Sequence, residues 1–398
     1  MRVPDGRLRD AAPAGGADIT ALVEENLRLH RAVRDGAGPP CTKPWVSFEE
    51  RSSFGQVKPC CWYHGRLGII EHEDDVDAIW NGERYRALRA AMATGAIPTE
   101  CPSWCPLLHA RREWFQKQEL YEYSRDELAS FEVAFLANRA RVLRAILAGD
   151  AAMDGVQPLR LHLHPSDVCN LRCVMCYLDL ESTAKRDWYG GERLRALMPY
   201  LEELKIFGGE PFFCDTSRRL ILSSDKPRWT HTSFVTNATL VSEHVIAELE
   251  AVRLGSVDVS LDAADAQTYE RIRLRGNFAK ALAGARRLAE LGRRHPIRHF
   301  TVYADFVIQE FNYRDLERFI RLCADLGIVP NFTLIGANRE AMQRAQRQRT
   351  ELGVAPGDGA DLDRHVDGAL SCAQLLKQDF AVASLQRVRG ELHAPPAQ

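Results

Sequence analysis

Three cysteines in one short stretch are the residues of this chain best suited to chemistry. Cys169, Cys173 and Cys176 stand in the sequence CNLRCVMC, with the spacing CxxxCxxC. Iron–sulfur clusters are normally held by four cysteine thiolates. Three thiolates without a fourth nearby leave one iron of a cubane cluster open, so that a small molecule can bind the metal. A zinc site, which would need a fourth ligand, and three buried free thiols are the alternatives.

Further polar motifs follow at the ends of predicted strands. Gly208-Gly209-Glu210-Pro211 comes 32 residues after the last of these cysteines. Two glycines allow the backbone to approach a ligand closely, and Glu210 can accept a hydrogen bond from an ammonium group. An ordinary tight turn is the alternative for GGEP when it is taken alone.

These motifs, in this order, resemble those of the radical S-adenosylmethionine (radical SAM) superfamily over roughly residues 157–340. Met175 and Ala238 depart from it, at positions where relatives often carry an aromatic residue and a glycine. The resemblance implies a 4Fe–4S cluster on the three cysteines, with SAM bound to its open iron. It also implies that SAM is cleaved to methionine and a 5′-deoxyadenosyl radical, which removes hydrogen from a C–H bond.

The resemblance also implies which residues contact SAM. The GGEP segment would bind the methionine amine, and an arginine downstream of the predicted strand that ends at Ser260-Leu261-Asp262 would pair with the carboxylate. Arg273 fits that arginine best, with Arg271 and Arg275 as rivals. A helix cap is the alternative for Asn237 and for Asp262. The predicted SAM contacts are Gly208, Gly209, Glu210, Asn237, Ser260, Asp262 and Arg273.

A second group of cysteines stands near the start of the chain. Cys41, Cys60, Cys61, Cys101 and Cys105 resemble the SPASM/twitch module that holds an auxiliary cluster in many radical SAM enzymes, here placed before the barrel. The predicted ligands of a second 4Fe–4S cluster are Cys41, Cys60, Cys101 and Cys105. Cys61 would replace Cys60 or stay free. The last pair is CxxxC where CxxC is usual, and a zinc site is the alternative.

One cysteine near GGEP is a candidate catalytic residue. Radical SAM epimerases quench the substrate radical with hydrogen from a cysteine thiol. Cys214, four residues beyond Glu210, is the first candidate for this role, and Cys61 is the second. A structural thiol is the alternative for Cys214.

Alternating strands and helices must position these residues. From residue 157 onward, six strands are each followed by a helix or loop, which predicts a parallel sheet with right-handed crossovers. Polar residues recur where the strands end, as in barrel enzymes. We therefore expect an α/β fold, a partial (β/α)6 TIM-type barrel after a small Cys-rich domain; an open doubly wound sheet is the alternative. The expected segments are 1–38, a disordered start and short helix; 39–110, the auxiliary-cluster domain; 111–156, a helical connector; 157–340, the barrel; and 341–398, a helical extension.

Composition narrows the functional classes. The 398 residues carry a net charge of −2, so no general basic field predicts a nucleic-acid partner. No apolar run is long enough to span a bilayer, and the first residues do not resemble a signal peptide. Eleven cysteines without an export signal predict metal binding in a reducing compartment, the cytoplasm.

The substrate is predicted by analogy only. No leader-peptide-binding winged helix is evident, which favours a small molecule of sugar or nucleoside type over a ribosomal peptide. An auxiliary cluster fits oxidation or cross-linking, whereas a spare cysteine near the pocket fits epimerisation. A flavodoxin- or ferredoxin-type protein is the expected reductant. A non-catalytic iron–sulfur electron-transfer or sensor protein is the alternative class, but it leaves GGEP and the SLD segment at 260–262 unexplained.

Overall fold

The computed structural model describes most of the chain. The expected disordered start at 1–17 lies outside the described residues, as do parts of the expected connector and C-terminal extension. No helix in the described ranges combines the length and apolar character that crossing a membrane requires. The described residues are 18–52, 54–109, 119–176, 178, 187–294, 300–335 and 359–393.

The N-terminal part begins with the helix that the sequence predicts. Asp18 caps it, accepting a hydrogen bond from the Thr20 backbone N–H at 2.9 Å. A short strand and a hairpin follow, embedded among small helices. The elements are α1 (Ile19–Arg34), α2 (Lys43–Val46), β1 (Ser47–Glu50), β2 (Gln56–Lys58), β3 (Gly68–Ile69), α3 (Asp75–Trp80), α4 (Glu83–Ala93), α5 (Pro106–His109), α6 (Arg125–Ala129) and α7 (Val133–Ala148).

Six parallel strands form the body of the fold. They are β4 (Arg160–Leu163), β6 (Glu203–Ile206), β7 (His231–Thr236), β8 (Leu254–Ser260), β10 (Thr301–Ile308) and β11 (Val329–Leu334); a small ribbon pairs β5 (Arg172–Cys173) with β9 (Arg273–Leu274). The helices are α8 (Glu192–Leu197), α9 (Asp215–Leu222), α10 (Glu243–Leu249), α11 (Ala266–Ile272), α12 (Phe278–Arg294), α13 (Leu316–Leu326), α14 (Gly359–Leu375) and α15 (Asp379–Leu392).

The strand order decides between the two predicted folds. The six strands lie side by side in their order along the chain. An open doubly wound sheet would reverse its order at a switch point. A sheet that winds in one direction places its crossovers on one face, because βαβ units are right-handed. The partial-barrel prediction is therefore confirmed, and the other face of the sheet is the barrel interior.

The interior face of the barrel is polar. On β4, Leu161 and Leu163 alternate with Arg160 and His162, and all four are buried. Polar residues on neighbouring strands share the face of Arg160 and His162, because parallel pairing keeps them in register: Glu203 and Lys205 on β6, Ser233 on β7, Asp258 on β8, and Tyr303 and Asp305 on β10.

The N-terminal cysteine-rich part is joined to this sheet. Strand β1 pairs in parallel with β4, and the β2–β3 hairpin continues the sheet beyond it. Phe48, Trp80 and Tyr85 form a buried aromatic cluster, with the Trp80 and Tyr85 rings 5.1 Å apart. This cluster belongs to the same continuous hydrophobic core as the barrel, so the cysteines of this part are held against the barrel.

The C-terminal helices cover the other edge of the sheet. Helix α14 packs on α13 and on α15, and α15 packs on both β11 and α5. Because α5 follows Cys105 directly, α15 connects the last barrel strand with the N-terminal cysteines.

Candidate metal and cofactor sites

The first three cysteines lie in the loop after β4, where the barrel opens. The β5–β9 ribbon holds this loop, because Cys173 pairs with Arg273 and the Val174 N–H donates to the Ile272 carbonyl at 2.9 Å. Two N–H groups face the thiols: Leu171 N is 3.4 Å from Cys169 Sγ, and Arg273 Nη1 is 3.5 Å from Cys173 Sγ. A loop with these donors suits thiolates better than neutral thiols.

Burial is the main influence on the pKa of all three thiols. Burial raises the pKa of Cys169 and Cys173, and raises that of Cys176 to about 12; the neighbouring thiols of the group add to the rise in Cys169 and Cys176. Such thiols keep their protons at neutral pH unless a cation replaces them. Within the described ranges, no three His, Cys, Asp or Glu side chains converge as ligands of one metal ion do.

The GGEP turn packs directly on the cysteine loop. The N–H of Gly209 donates to the Ser166 carbonyl at 2.8 Å, and that of Glu210 donates to the Val168 carbonyl at 3.0 Å. Gly208 has a φ of +119°, which favours glycine. A Cβ on Gly209 would lie 2.6 Å from the Val168 carbonyl carbon, too close for any side chain. The two glycines therefore let the turn reach the residues just before Cys169.

Glu210 is a buried carboxylate with an assembled shell of donors. It accepts hydrogen bonds from the Thr236 hydroxyl at 2.8 Å and from the Asn237 backbone N–H at 2.8 Å. Burial raises the pKa of Glu210 to about 7, although these hydrogen bonds oppose the rise. Sequence reasoning missed Thr236 as the residue that orients Glu210, because a threonine at a strand end matches ordinary strand preference.

Arg273 lies between the cysteine loop and the fourth strand. Its Nη2 is 2.5 Å from Asp262 Oδ2, and Asp262 also accepts from the Val307 backbone N–H at 2.6 Å. Asp262 is fully buried and has a φ of +59°, a strained conformation typical of functional sites. Helix α11 is capped by Asp265, so the cap interpretation of Asp262 is wrong. The rival Arg271 stacks on Phe311, 4.0 Å from its ring centre.

Asn237 and Ser260 line the same opening. Asn237 Nδ2 donates to Asn170 at 2.9 Å and lies 3.9 Å from Cys169 Sγ. The next residue, Ala238, has a φ of +59°, which explains why a glycine suits this position in relatives of the predicted family. Ser260 ends β8 opposite Asp305. The structure thus brings every predicted SAM contact to the mouth that holds the cysteine loop.

Two buried donors in this region have no acceptor among the described residues. They are Arg273 Nε and Gln309 Nε2, on side chains that are 7% and 2% exposed. A buried N–H without an acceptor is costly, so each such group calls for a ligand or water. An anionic group of a bound molecule, such as a carboxylate, would satisfy them.

The N-terminal cysteines form the second group. Cys41, Cys60 and Cys105 are buried and Cys101 is half-buried. Burial raises the pKa of all four thiols, to about 12 for Cys101 and about 11 for Cys105, and Cys105 and Cys101 both add to the rise in Cys41. Four thiols whose charges affect one another in this way suit a metal cluster that neutralises them together.

Cys61 faces a different environment from its neighbour Cys60. The residue is exposed, yet burial raises the pKa of its thiol, so the thiol lies in a concave surface. Arg51, Lys43 and Lys205 oppose that rise, and Lys205 is on the interior face of β6. Cys61 therefore lies within electrostatic range of three cationic side chains. Cys214 is half-buried and precedes α9 as its N-cap residue.

The close packing of Gly209 gives a testable prediction. We expect Gly209→Ala to weaken SAM binding by about tenfold or more, since its Cβ displaces the backbone before Cys169 at an overpacking cost of about 1–3 kcal/mol. Calorimetric titration of anaerobically reconstituted protein with SAM measures this. Gly190→Ala is the matched control, because a Cβ there meets nothing within 4 Å. Equal affinities of the two variants would contradict the prediction.

Comparisons with known proteins agree with this geometry. A model described as the radical SAM superfamily matches residues 163–323, and the SPASM model, an iron–sulfur cluster-binding domain, matches residues 41–106. The two matches imply a SAM-binding 4Fe–4S cluster, SAM itself and an auxiliary iron–sulfur cluster as cofactors of this chain.

Relatives of assigned function match the chain only in part. A GTP 3′,8-cyclase of Petrotoga mobilis is 28% identical over 174 residues, which are 42% of this chain and 52% of that protein. The mycofactocin maturase MftC of Mycolicibacterium smegmatis is 28% identical over 220 residues, 50% of this chain and 53% of that protein. The chain thus spans about half the length of these relatives.

Among solved structures, Streptococcus suis SuiB bound to its precursor peptide SuiA is 16% identical, with a TM-score of 0.45, over 83% of this chain and 69% of that one. That likeness is too distant to support an argument about function. The two family matches fall on the cysteine groups that the structure places at the barrel mouth and beside β1. The chain therefore carries a radical SAM domain at residues 163–323, preceded by a SPASM iron–sulfur domain at residues 41–106.

Proposed function

We propose that this chain reductively cleaves SAM and removes a hydrogen atom from a C–H bond of a small polar molecule of sugar or nucleoside type. One observation carries the SAM part of the proposal. Glu210 and Arg273 flank the cysteine loop: the Glu210 N–H donates to the Val168 carbonyl at 3.0 Å, and Arg273 Nη1 lies 3.5 Å from Cys173 Sγ. An acid and a base beside three thiols suit the ammonium and carboxylate groups of an amino acid bound there.

Each residue has a separate task in this proposal. Glu210, held by Thr236 and Asn237, would accept hydrogen bonds from the methionine ammonium group of SAM. The free Nε–H of Arg273 would donate to the carboxylate, while Asp262 fixes the guanidinium from its other side. Cys169, Cys173 and Cys176 would hold the cluster. When bound, cluster and SAM supply the radical that abstracts hydrogen; the protein orients SAM and limits access.

The barrel interior supports a polar substrate. Lys205 pairs with Asp258 at 2.6 Å, and Asn331 donates to Asp305 at 2.6 Å, on the interior faces of their strands. Arg51 is partly exposed and contributes a further positive charge near Cys61. Side chains of this kind bind hydroxyl, phosphate or base groups better than apolar ones. The relative named GTP 3′,8-cyclase is consistent with a nucleoside-type substrate.

The outcome for the substrate is oxidation or epimerisation. The auxiliary cluster supports oxidation, since it would accept an electron from the substrate radical. Epimerisation would need a hydrogen donor, for which the half-buried Cys214 is the first candidate and Cys61 the second. A ribosomal peptide is the alternative substrate, supported by the relatives named mycofactocin maturase. We further propose a flavodoxin- or ferredoxin-type reductant and a cytoplasmic location.

The formation of 5′-deoxyadenosine tests the proposal. Anaerobically reconstituted protein given dithionite and SAM should form it, and Cys176→Ala should form at least about a hundredfold less, because one ligand of the SAM cluster is gone. Cys323→Ala, which removes a buried thiol within α13, is the control and should keep the activity. Equal product from wild type and Cys176→Ala would refute the assignment.

A further inference from the structure

The last helix brings a charged residue to the auxiliary cysteines. The SPASM match ends at residue 106, and the sequence of α15 carries no recognisable motif. In the structure, however, α15 packs on α5, directly after Cys105, and on β11. Arg387 on its buried face is only 5% exposed.

The position of Arg387 is fixed by its neighbours. Its guanidinium lies over the ring of Trp104, 5.6 Å from the ring centre, within the segment from Cys101 to Cys105. Nη2 donates to the Phe332 carbonyl and to the Thr333 hydroxyl, the latter at 3.3 Å. Arg387 therefore joins the end of the barrel sheet to the loop that presents two predicted cluster ligands.

The charge of Arg387 is not balanced by a carboxylate that is fully ionised at neutral pH. Glu391 lies 3.3 Å from Nη1, but burial raises the pKa of Glu391 to about 7, so it is only partly ionised at neutral pH. The Nε–H of Arg387 has no acceptor among the described residues. A buried cation with a spare donor calls for an anionic neighbour.

We propose that Arg387 is a positioning residue of the auxiliary cluster, which supplies positive charge at the loop from Cys101 to Cys105 and raises the reduction potential of that cluster. A cluster held by thiolates becomes more negative on reduction, so a nearby cation stabilises the reduced form. Net charge and hydrogen bonds to the sulfurs are among the factors that set such potentials. The proposal rests on the auxiliary cluster and its predicted ligands, and it is independent of the substrate proposed above.

A redox titration followed by electron paramagnetic resonance tests this role. The background for this experiment is the whole chain with alanine at Cys169, Cys173 and Cys176. In this protein only the auxiliary cluster can give a resonance signal. In this background, Arg387→Gln should shift the reduction equilibrium about tenfold toward the oxidised form, a fall of about 59 mV for one electron. Arg387→Lys keeps the positive charge, so its reduction potential should differ from that of the background protein much less than that of Arg387→Gln does. Arg389→Gln on the exposed side of α15 should change nothing.

Each outcome decides the proposal. A potential of Arg387→Gln equal to that of the background overturns it, as does equal loss of auxiliary iron from Arg387→Gln and Arg387→Lys, since the second keeps the charge. Loss of iron from Arg387→Gln alone supports it. Iron is measured first in the background protein. If that protein binds no iron, the prediction of an auxiliary cluster is wrong, and the proposal for Arg387 is wrong with it. The SAM chemistry of the wild type is tested separately, by the formation of 5′-deoxyadenosine.

Discussion

Replacing Cys169, Cys173 and Cys176 together by alanine should halve the iron content of anaerobically reconstituted protein, from about eight irons to about four, and abolish SAM cleavage. The physical reason is that the two cysteine groups are built separately. The β5–β9 ribbon holds the loop of Cys169, Cys173 and Cys176, whereas Cys41 and Cys105 stand just before α2 and α5. Loss of one cluster therefore leaves the other group's ligands intact.

Iron, sulfide and zinc analysis of both proteins measures this outcome. Cys372→Ala, a buried thiol on α14, is the control and should keep about eight irons. A wild type with about four irons and a triple variant with almost none would show that the N-terminal cysteines hold zinc or no metal. Redox-neutral epimerisation would then be favoured over oxidation, because no auxiliary cluster would be present to accept an electron from the substrate radical.

Glu203→Gln should destabilise the fold by about 3–5 kcal/mol, since it removes the carboxylate at the centre of a buried ionic network. Glu203 pairs with Arg160 and accepts hydrogen bonds from His162 at 3.0 Å, Tyr121 at 2.9 Å and Ser233 at 2.6 Å. Arg160 is fully buried. Without this carboxylate, its charge stays in the barrel interior with much weaker compensation.

Urea denaturation at neutral pH measures the change in the free energy of unfolding. Arg160→Met added to Glu203→Gln should recover part of the loss, because it removes the buried charge that has lost its partner, while the glutamine still accepts hydrogen bonds from its other neighbours. Glu122→Gln breaks the exposed pair with Arg34 and should have no measurable effect. A Glu203→Gln protein as stable as wild type would contradict the assignment of this network to the barrel core.

The same network predicts the direction of the pH dependence. Burial alone would raise the pKa of Glu203, but Arg160, His162 and Lys205 together hold it well below its usual value. A carboxyl group with a lowered pKa in the folded state stabilises the fold above its unfolded pKa of about 4.3, and this contribution is lost as the pH falls. The difference between wild type and Glu203→Gln should therefore shrink in acid.

Much of the candidate site could be predicted because its motifs are local. Cys169, Cys173 and Cys176 lie within eight residues, and GGEP is a continuous turn whose glycines are required by nearby backbone. Local spacing does not single out Arg273, since three arginines lie within five residues. Only the β5–β9 pairing, between segments about a hundred residues apart, selects the one beside Cys173.

The sequence by itself determined the iron–sulfur chemistry, the α/β alternation and the residues at strand ends, because thiol spacing, turn glycines and period-two patterns act over a few residues. Tertiary structure alone decided three further features. It joined β1 to β4, packed α15 on both β11 and α5, and placed Arg387 of α15 over Trp104, the residue before Cys105. Each depends on contacts between segments distant in the chain, where packing of the shared core and the pairing of buried charges decide the partners.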